Sequence, residues 1–167
     1  MTLTENNQSS KQLVRAALVA GIYITLTVAV SPISFGPLQF RISEILNLLA
    51  FFNPLYIGAV TLGCFISNIL FSPYGLIDAI IGTLHTFISL VMIWKTRNLW
   101  LSSIWPAVMS FIVALGIAYA SGSMAAFLPT YFYIGLSELI IVSLIGVPII
   151  NLLKKSNFID KYIISLK

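Results

Sequence analysis

Charge is what this sequence has least of. Only 8% of its 167 residues are Asp, Glu, Lys or Arg, five acids against nine bases. Soluble domains carry roughly a quarter, so a water-facing surface cannot be made from this composition. Cysteine and histidine are equally scarce, at one residue each. A lone Cys64 inside an apolar run excludes a disulfide framework and a Cys-based zinc site, and a lone His85 leaves few catalytic constellations. No H-E-x-x-H, G-x-S-x-G or Walker A pattern occurs, so the usual signatures of metalloprotease, esterase and ATPase chemistry are missing. Nor is there a basic stripe. The net charge of +4 comes from bases scattered at the ends of apolar segments, which argues against nucleic acid and reads as a topology signal. Neither a metal nor a cofactor is expected.

What the chain has in excess is hydrocarbon, with 59% of residues apolar. Several runs are long enough to cross a core of about 30 Å. The composition therefore predicts an all-α integral membrane protein, multi-pass in the plasma membrane, forming one domain over residues 1–167. The apolar segments run roughly over 13–30, 42–52, 54–70, 76–94, 99–119 and 129–153. Ser31-Pro32, Gly36-Pro37, Asn53-Pro54, Ser72-Pro73-Tyr74-Gly75 and Ser121-Gly122-Ser123 punctuate them, and Pro129 suits the first turn of the last helix. Residues 1–10 are polar and lack a basic leader, so they read as a flexible cytoplasmic N-terminus ahead of a retained helix, not as a signal peptide.

The stretch from Ile42 to Leu70 is either one tilted span or two short helices meeting at Asn53-Pro54, and charge bias separates the two. With two helices and a cytoplasmic N-terminus, Lys11, Arg15, Lys95, Arg97, Lys154, Lys155, Lys161 and Lys167 all lie inside and only Arg41 outside. With one span, most of those bases move out. The sequence thus predicts a six-helix bundle with both termini cytoplasmic. Its second helix, of about eleven residues, is too short to cross alone at 1.5 Å per residue.

Ionisable groups inside a bilayer cost about 2.5 kcal/mol or more each and usually face a bundle interior or a wet cavity. On the six-helix reading, Arg41, Glu44, Asn68, Asp78 and Glu138 gather toward the outer half. Glu138 lies nine residues past Pro129, on the order of 13 Å into its helix, too deep to cap anything. It is either a structural carboxyl hydrogen-bonded to a neighbouring helix or a ligand group. Asp78 falls in a first helical turn, where the dipole stabilises a carboxylate, and His85 follows two turns deeper on the same face. A lone intramembrane His is as often a satisfied interhelical bond. Arg41 and Glu44, spaced i, i+3, suit a local ion pair as well as a site, and Asn68 reads first as a C-cap. The preceding loop, with Gln39 and Phe40, alternates apolar and polar groups between rigid punctuators, as a lid would. Phe40, Phe51, Phe52, Tyr74, Tyr131 and Tyr133 offer aromatic faces. Three carboxyls and one guanidinium leave such a site net negative, suited to a cationic or hydrogen-bond-donating solute. A carboxylate matches a guanine-type N–H/NH₂ edge through two parallel bonds. Near the inner end of the first helix, Ala16 and Ala20, and one position on Ala17 and Gly21, form strips of small side chains that let helices approach closely. They serve either internal packing or a partner.

The stretch Ser31-Pro32-Ile33-Ser34-Phe35-Gly36-Pro37-Leu38-Gln39-Phe40-Arg41-Ile42-Ser43-Glu44, following a helix with small residues, resembles the QueT family. These are queuosine-precursor S components, the substrate-binding subunits of energy-coupling factor transporters. The similarity extends from about Val14 to Leu153. It implies a six-helix S component that binds a 7-deazaguanine base, such as 7-aminomethyl-7-deazaguanine or queuine, in an outward cavity. It also implies a transmembrane T component and two cytoplasmic ATPases as partners, with the bundle toppling in the bilayer on ATP hydrolysis. The Ala16/Ala20 strip resembles the element through which S components meet the T component. Arg41, Glu44 and Glu138 fall in segments that follow the family pattern, although Ser137 stands where the pattern has Gly. An S component for another vitamin-like solute, a self-contained proton-coupled carrier and a small intramembrane enzyme are the competing readings.

Overall fold

The chain has no Gly or Pro between residues 3 and 20, so nothing interrupts a helix once it starts. The computed structural model describes residues 3–36 and 39–164, with side chains from residue 8 onward. In it α1 spans Leu3–Ala29. The polar segment expected to be a flexible terminus is therefore helical from Leu3, because Glu, Gln and Ser do not break a helix that apolar residues continue. Met1 and Thr2 lie outside the described residues, as do Pro37 and Leu38 of the loop motif and Lys167. Ser31-Pro32, expected as loop, opens a further helical turn, α2 at Ser31–Ser34. Proline's fixed φ and missing N–H fit a first turn.

The second apolar segment is a 3₁₀ helix, Ile42–Phe51, and after the Asn53-Pro54 turn come α3, Leu55–Phe71, and α4, Leu76–Lys95. The fifth is broken into α5 at Leu99–Ser102, α6 at Trp105–Met109 and α7 at Phe111–Ala120. Pro106 has no N–H for the ladder. Ser102, Ser103 and Ser110 donate from their hydroxyls to the carbonyls of Leu99, Trp100 and Ala107 at 2.8, 2.7 and 2.7 Å, which competes with regular helix bonding. The last segment is also composite: a 3₁₀ turn at Met124–Ala126, α8 at Phe127–Glu138, a π-helical stretch at Leu139–Gly146 and α9 at Val147–Lys155. The wide π turn ends just before Pro148, whose ring would crowd an ordinary helix. A short turn at Asp160–Ile164 closes the described chain.

Four stretches, Gln8–Ala29, Leu76–Lys95, Leu99–Ala120 and Met124–Lys155, are long and apolar enough to span a bilayer, while Ile42–Phe51 and Leu55–Phe71 are shorter apolar helices. No strand occurs among the described residues. The chain is a multi-pass membrane protein. Its exposed faces carry Leu, Ile and Phe, whereas Arg41, Glu44, Asn68, Asp78, His85 and Glu138 are buried, as lipid demands. Helices α1 and α3 meet at Gly63, where a Cβ would lie 3.0 Å from Tyr23 Cβ and 3.1 Å from the Ala20 carbonyl oxygen. At one end of the bundle Arg15 Nη1 donates to the Tyr162 carbonyl at 2.5 Å, and Asn53 Nδ2 to that of Ile163 at 3.2 Å. The middle of α1 and the turn before α3 are thereby tied to the 160–164 turn. At the other end the α2 loop, the α3–α4 turn and the start of α8 surround one cavity, lined by Phe35, Tyr74 and Pro129 among others.

Candidate functional site

A 3₁₀ helix has three residues per turn, so residues three apart lie in line along one edge. In the second segment that edge is Arg41, Glu44, Asn47 and Ala50, all of them buried. Helix α1 adds Tyr23 beside it, α3 adds Cys64 and Asn68 one turn apart, and α4 adds Asp78 and Thr86 two turns apart. Gly82 lies between those two. A Cβ there would collide with Asn68 Nδ2, so glycine leaves the room in which the Asn68 side chain crosses α4.

These side chains form one buried polar centre. Tyr23 donates its hydroxyl to Glu44 Oε1 at 2.5 Å, and Asn47 Nδ2 donates to Glu44 Oε2. Arg41 pairs with Asp78 at 3.7 Å, donates from Nε to the Ser34 carbonyl at 3.2 Å and lies 5.0 Å over the Phe35 ring. Ser72 donates to Asp78 Oδ2 at 2.6 Å, and Asn68 Nδ2 to the Asp78 carbonyl at 3.2 Å. Glu138 lies within electrostatic reach of both Glu44 and Arg41. Its Oε2, with Asn47 Oδ1, Asn68 Oδ1 and the Ser137 hydroxyl, has no hydrogen-bond partner among the described residues. Buried polar atoms are rarely left this way.

Arg41, Glu44, Asn68, Asp78 and Glu138 thus come together, with several local readings corrected. Arg41 takes Asp78 as its carboxylate, across a helix, instead of Glu44 one turn on. Asp78 is held by Arg41 and Ser72 in addition to its helix terminus. Asn68 is not a C-cap: α3 runs on to Phe71, and the Asn68 amide turns inward. His85 donates from Nε2 to the Pro106 carbonyl at 2.9 Å, an interhelical bond to the segment whose proline leaves backbone groups unladdered. Phe40 is half-buried and packs on the hydrophobic core. Phe51 and Phe52 adjoin Asn53, at the end where Arg15 and Asn53 bond to the 160–164 turn, and Tyr131 reaches the Val108 carbonyl of α6. Sequence reasoning missed Tyr23, Asn47, Thr86 and any role for Cys64. All are ordinary residues inside apolar runs, and only the helix pairing reveals them.

A cavity of about 360 Å³ adjoins this centre, lined by Phe35, Gln39, Tyr74, Thr130 and Tyr133 with neighbouring Gly, Pro and Ala. Two of its lining residues touch the centre: the Phe35 ring lies 5.0 Å from the Arg41 guanidinium, and Ser72, which bonds to Asp78, also accepts from the Tyr74 N–H at 3.2 Å. Gln39 is buried, with a left-handed backbone (φ 46°) that a non-glycine residue rarely adopts. Bonds from the Gln39 N–H to Gly36 O and from the Phe40 N–H to Ile33 O, at 3.0 and 3.1 Å, hold that turn. Strain of this kind collects at ligand-facing positions.

The cavity wall thus combines the aromatic rings of Phe35, Tyr74 and Tyr133 with the Gln39 side chain, beside the Arg41–Asp78 pair. The family model for QueT transporters matches residues 13–155. This chain belongs to the QueT transporter family. The queuosine precursor transporter QueT of Lactococcus lactis subsp. cremoris (strain MG1363) is 50% identical over 80 residues, covering 47% of this chain and 46% of that protein. The match therefore spans about half the length of the curated relative. No solved structure matches the chain. The family is described as one of transporters. The two small-residue strips of α1 differ in surroundings. Ala20 is buried against Gly63 and Ala16 packs on the core, whereas Ala17 and Gly21 are exposed, with nothing within 4 Å of a Cβ built on Gly21.

Proposed function

We propose that this QueT-family chain is the S component of an energy-coupling factor importer. In this reading it captures a queuosine precursor, a 7-deazaguanine base such as 7-aminomethyl-7-deazaguanine or queuine, from outside the cell. The observation that carries the reading is the buried centre beneath the cavity, whose Glu138, Asn47 and Asn68 oxygens have no partner among the described residues. A base with an N–H/NH₂ edge would complete those bonds through a carboxylate-matched pair. Tyr74 and Tyr133 at the cavity wall offer ring faces for stacking. The volume lies within the range of about 300 to 1,000 Å³ usual for small-molecule sites.

The remaining parts of the proposal follow from charge and surface. Six segments cross or enter the membrane, with Lys11, Arg15, Lys95, Arg97, Lys154, Lys155 and Lys161 on the cytoplasmic side, and both termini there. A transmembrane T component docks on the inner half of α1, through the open Ala17/Gly21 strip with the Ala16/Ala20 strip behind it. Two cytoplasmic ATPases supply the energy for toppling. The test is calorimetry on purified protein with 7-aminomethyl-7-deazaguanine and queuine, in the absence of ATP and of a proton gradient, together with mass spectrometry of co-purifying solute. Saturable binding to a single site is expected. Absence of binding to either base would overturn the substrate assignment.

A further inference from the structure

At the end of the bundle away from the cavity, α1 and the turn that closes the described chain are held together, and both are basic. From residue 8 to 29 α1 carries Lys11 and Arg15 and no acid, and from 154 to 164 Lys154, Lys155 and Lys161 stand against Asp160 alone. Asn157, in the left-handed region at φ 58°, reverses the chain after α9. Its N–H donates to the Lys154 carbonyl at 3.1 Å, and its own carbonyl accepts from the Lys161 N–H at 3.0 Å. The segment that follows presents two unlike faces. Ile159 and Ile163 are buried in the core, while the Phe158 and Tyr162 rings, 4.8 Å apart, are exposed, with Lys161 Nζ 5.1 Å over the Tyr162 ring. Exposed tyrosine beside lysine is what the headgroup level of a bilayer favours.

Arg15 ties this turn to α1 through the Tyr162 carbonyl. An open depression of about 250 Å³ on α1 is lined by Ser10, Lys11, Val14 and Arg15. A hydroxyl and two cations are a donor set for a phosphate. Val14, Leu18 and Ile22, spaced i, i+4, continue from the depression as an exposed apolar line. It runs alongside the open Ala17/Gly21 strip. A soluble anion would use the cations and have no use for the line. We propose that the depression seats the phosphate of an anionic phospholipid on Lys11 and Arg15, with its acyl chains along Val14, Leu18 and Ile22. General attraction between bases and an anionic surface acts on Lys95 and Arg97 as well. A seat acts through Lys11 and Arg15.

The lipid seat is independent of the solute bound at the polar centre. Purified protein, stripped of co-purified lipid in a neutral detergent, is given equal amounts of phosphatidylglycerol and phosphatidylcholine with the same chains, and native mass spectrometry counts the bound lipid. Phosphatidylglycerol should be retained over phosphatidylcholine by at least about tenfold, with roughly fivefold for each base at the headgroup. Lys11 is exposed, so its replacement leaves the fold alone. Lys11→Gln should lower the ratio by about fivefold and Lys11→Glu should remove it, whereas Arg97→Gln, in the exposed turn after α4, should leave it as in the wild type. Glycerol phosphate in large excess, a headgroup without chains, should not displace the lipid. Equal retention of the two lipids, or an Arg97→Gln loss equal to that of Lys11→Gln, would overturn the seat. Displacement by glycerol phosphate would make it a site for free phosphate and overturn the lipid. Retention untouched by Lys11→Glu would overturn the lipid as well, and loss of uptake in that same variant would assign the patch to a protein partner.

Discussion

Glu138 and Glu44 are both buried carboxyls in the same centre, yet they answer to different tests because their partners differ. Glu44 accepts from Tyr23 and from Asn47, so its position is fixed by the protein itself. Tyr23→Phe would leave a buried carboxyl one donor short, and chemical unfolding should show a loss of about 1 to 3 kcal/mol. Glu138 Oε2 has no such partner among the described residues. Glu138→Gln should leave the unfolding midpoint close to wild type, since it keeps the side chain's size and breaks no hydrogen bond to Oε2, and should weaken base binding by more than about tenfold, or about 1.4 kcal/mol. Unchanged affinity would mean that the group is structural. The charged members of the centre were legible in the sequence because an ionisable residue in an apolar run is expensive and has to be explained. Tyr23, Cys64 and Thr86 carry no such penalty. Their roles depend on which helix faces which, and spacing within one segment does not contain that information.

Among the elements, apolar runs marked the segments, but their internal geometry came from single residues. Over ten residues a period of 3.0 and one of 3.6 are hard to tell apart, so the 3₁₀ character of Ile42–Phe51 was hidden, although the buried line of Arg41, Glu44, Asn47 and Ala50 follows from it. The breaks at Pro106 and before Pro148 were visible as prolines, without the α5–α7 division or the π stretch they accompany. Helix α1 shows how packing resolves what sequence leaves open. Its two strips of small residues look alike in the chain, yet one lies against α3 and the other is open. Gly63→Val would force the Tyr23 side of α1 away from α3 and should cost about 1 to 3 kcal/mol of stability, read by unfolding in detergent. Ala17→Trp or Gly21→Leu should leave base binding intact and abolish uptake in cells, because each adds bulk only to the open face. Ala20→Trp, by contrast, should lose both, since its side chain has nowhere to go but into α3.

At the scale of the whole molecule, the asymmetry between the two ends of the bundle decides which way the site opens. Arg15 and Asn53 bond to the carbonyls of Tyr162 and Ile163 at one end, alongside most of the bases. The cavity and the Arg41–Asp78 pair lie toward the other. Positive residues favour the cytoplasmic side, so the cavity should open outward. Single cysteines placed in a Cys64→Ala background test this directly. Ser123 and Ser156 are both exposed and lie at turns of opposite ends, between α7 and α8 and after α9. Ser123→Cys should react with a membrane-impermeant maleimide on intact cells, and Ser156→Cys only after permeabilisation. The reverse pattern would turn the cavity toward the cytoplasm and remove the basis for capture from outside. Labelling of both on intact cells would mean that the stretch between them does not cross, which would contradict the six-segment topology while leaving the polar centre as it is.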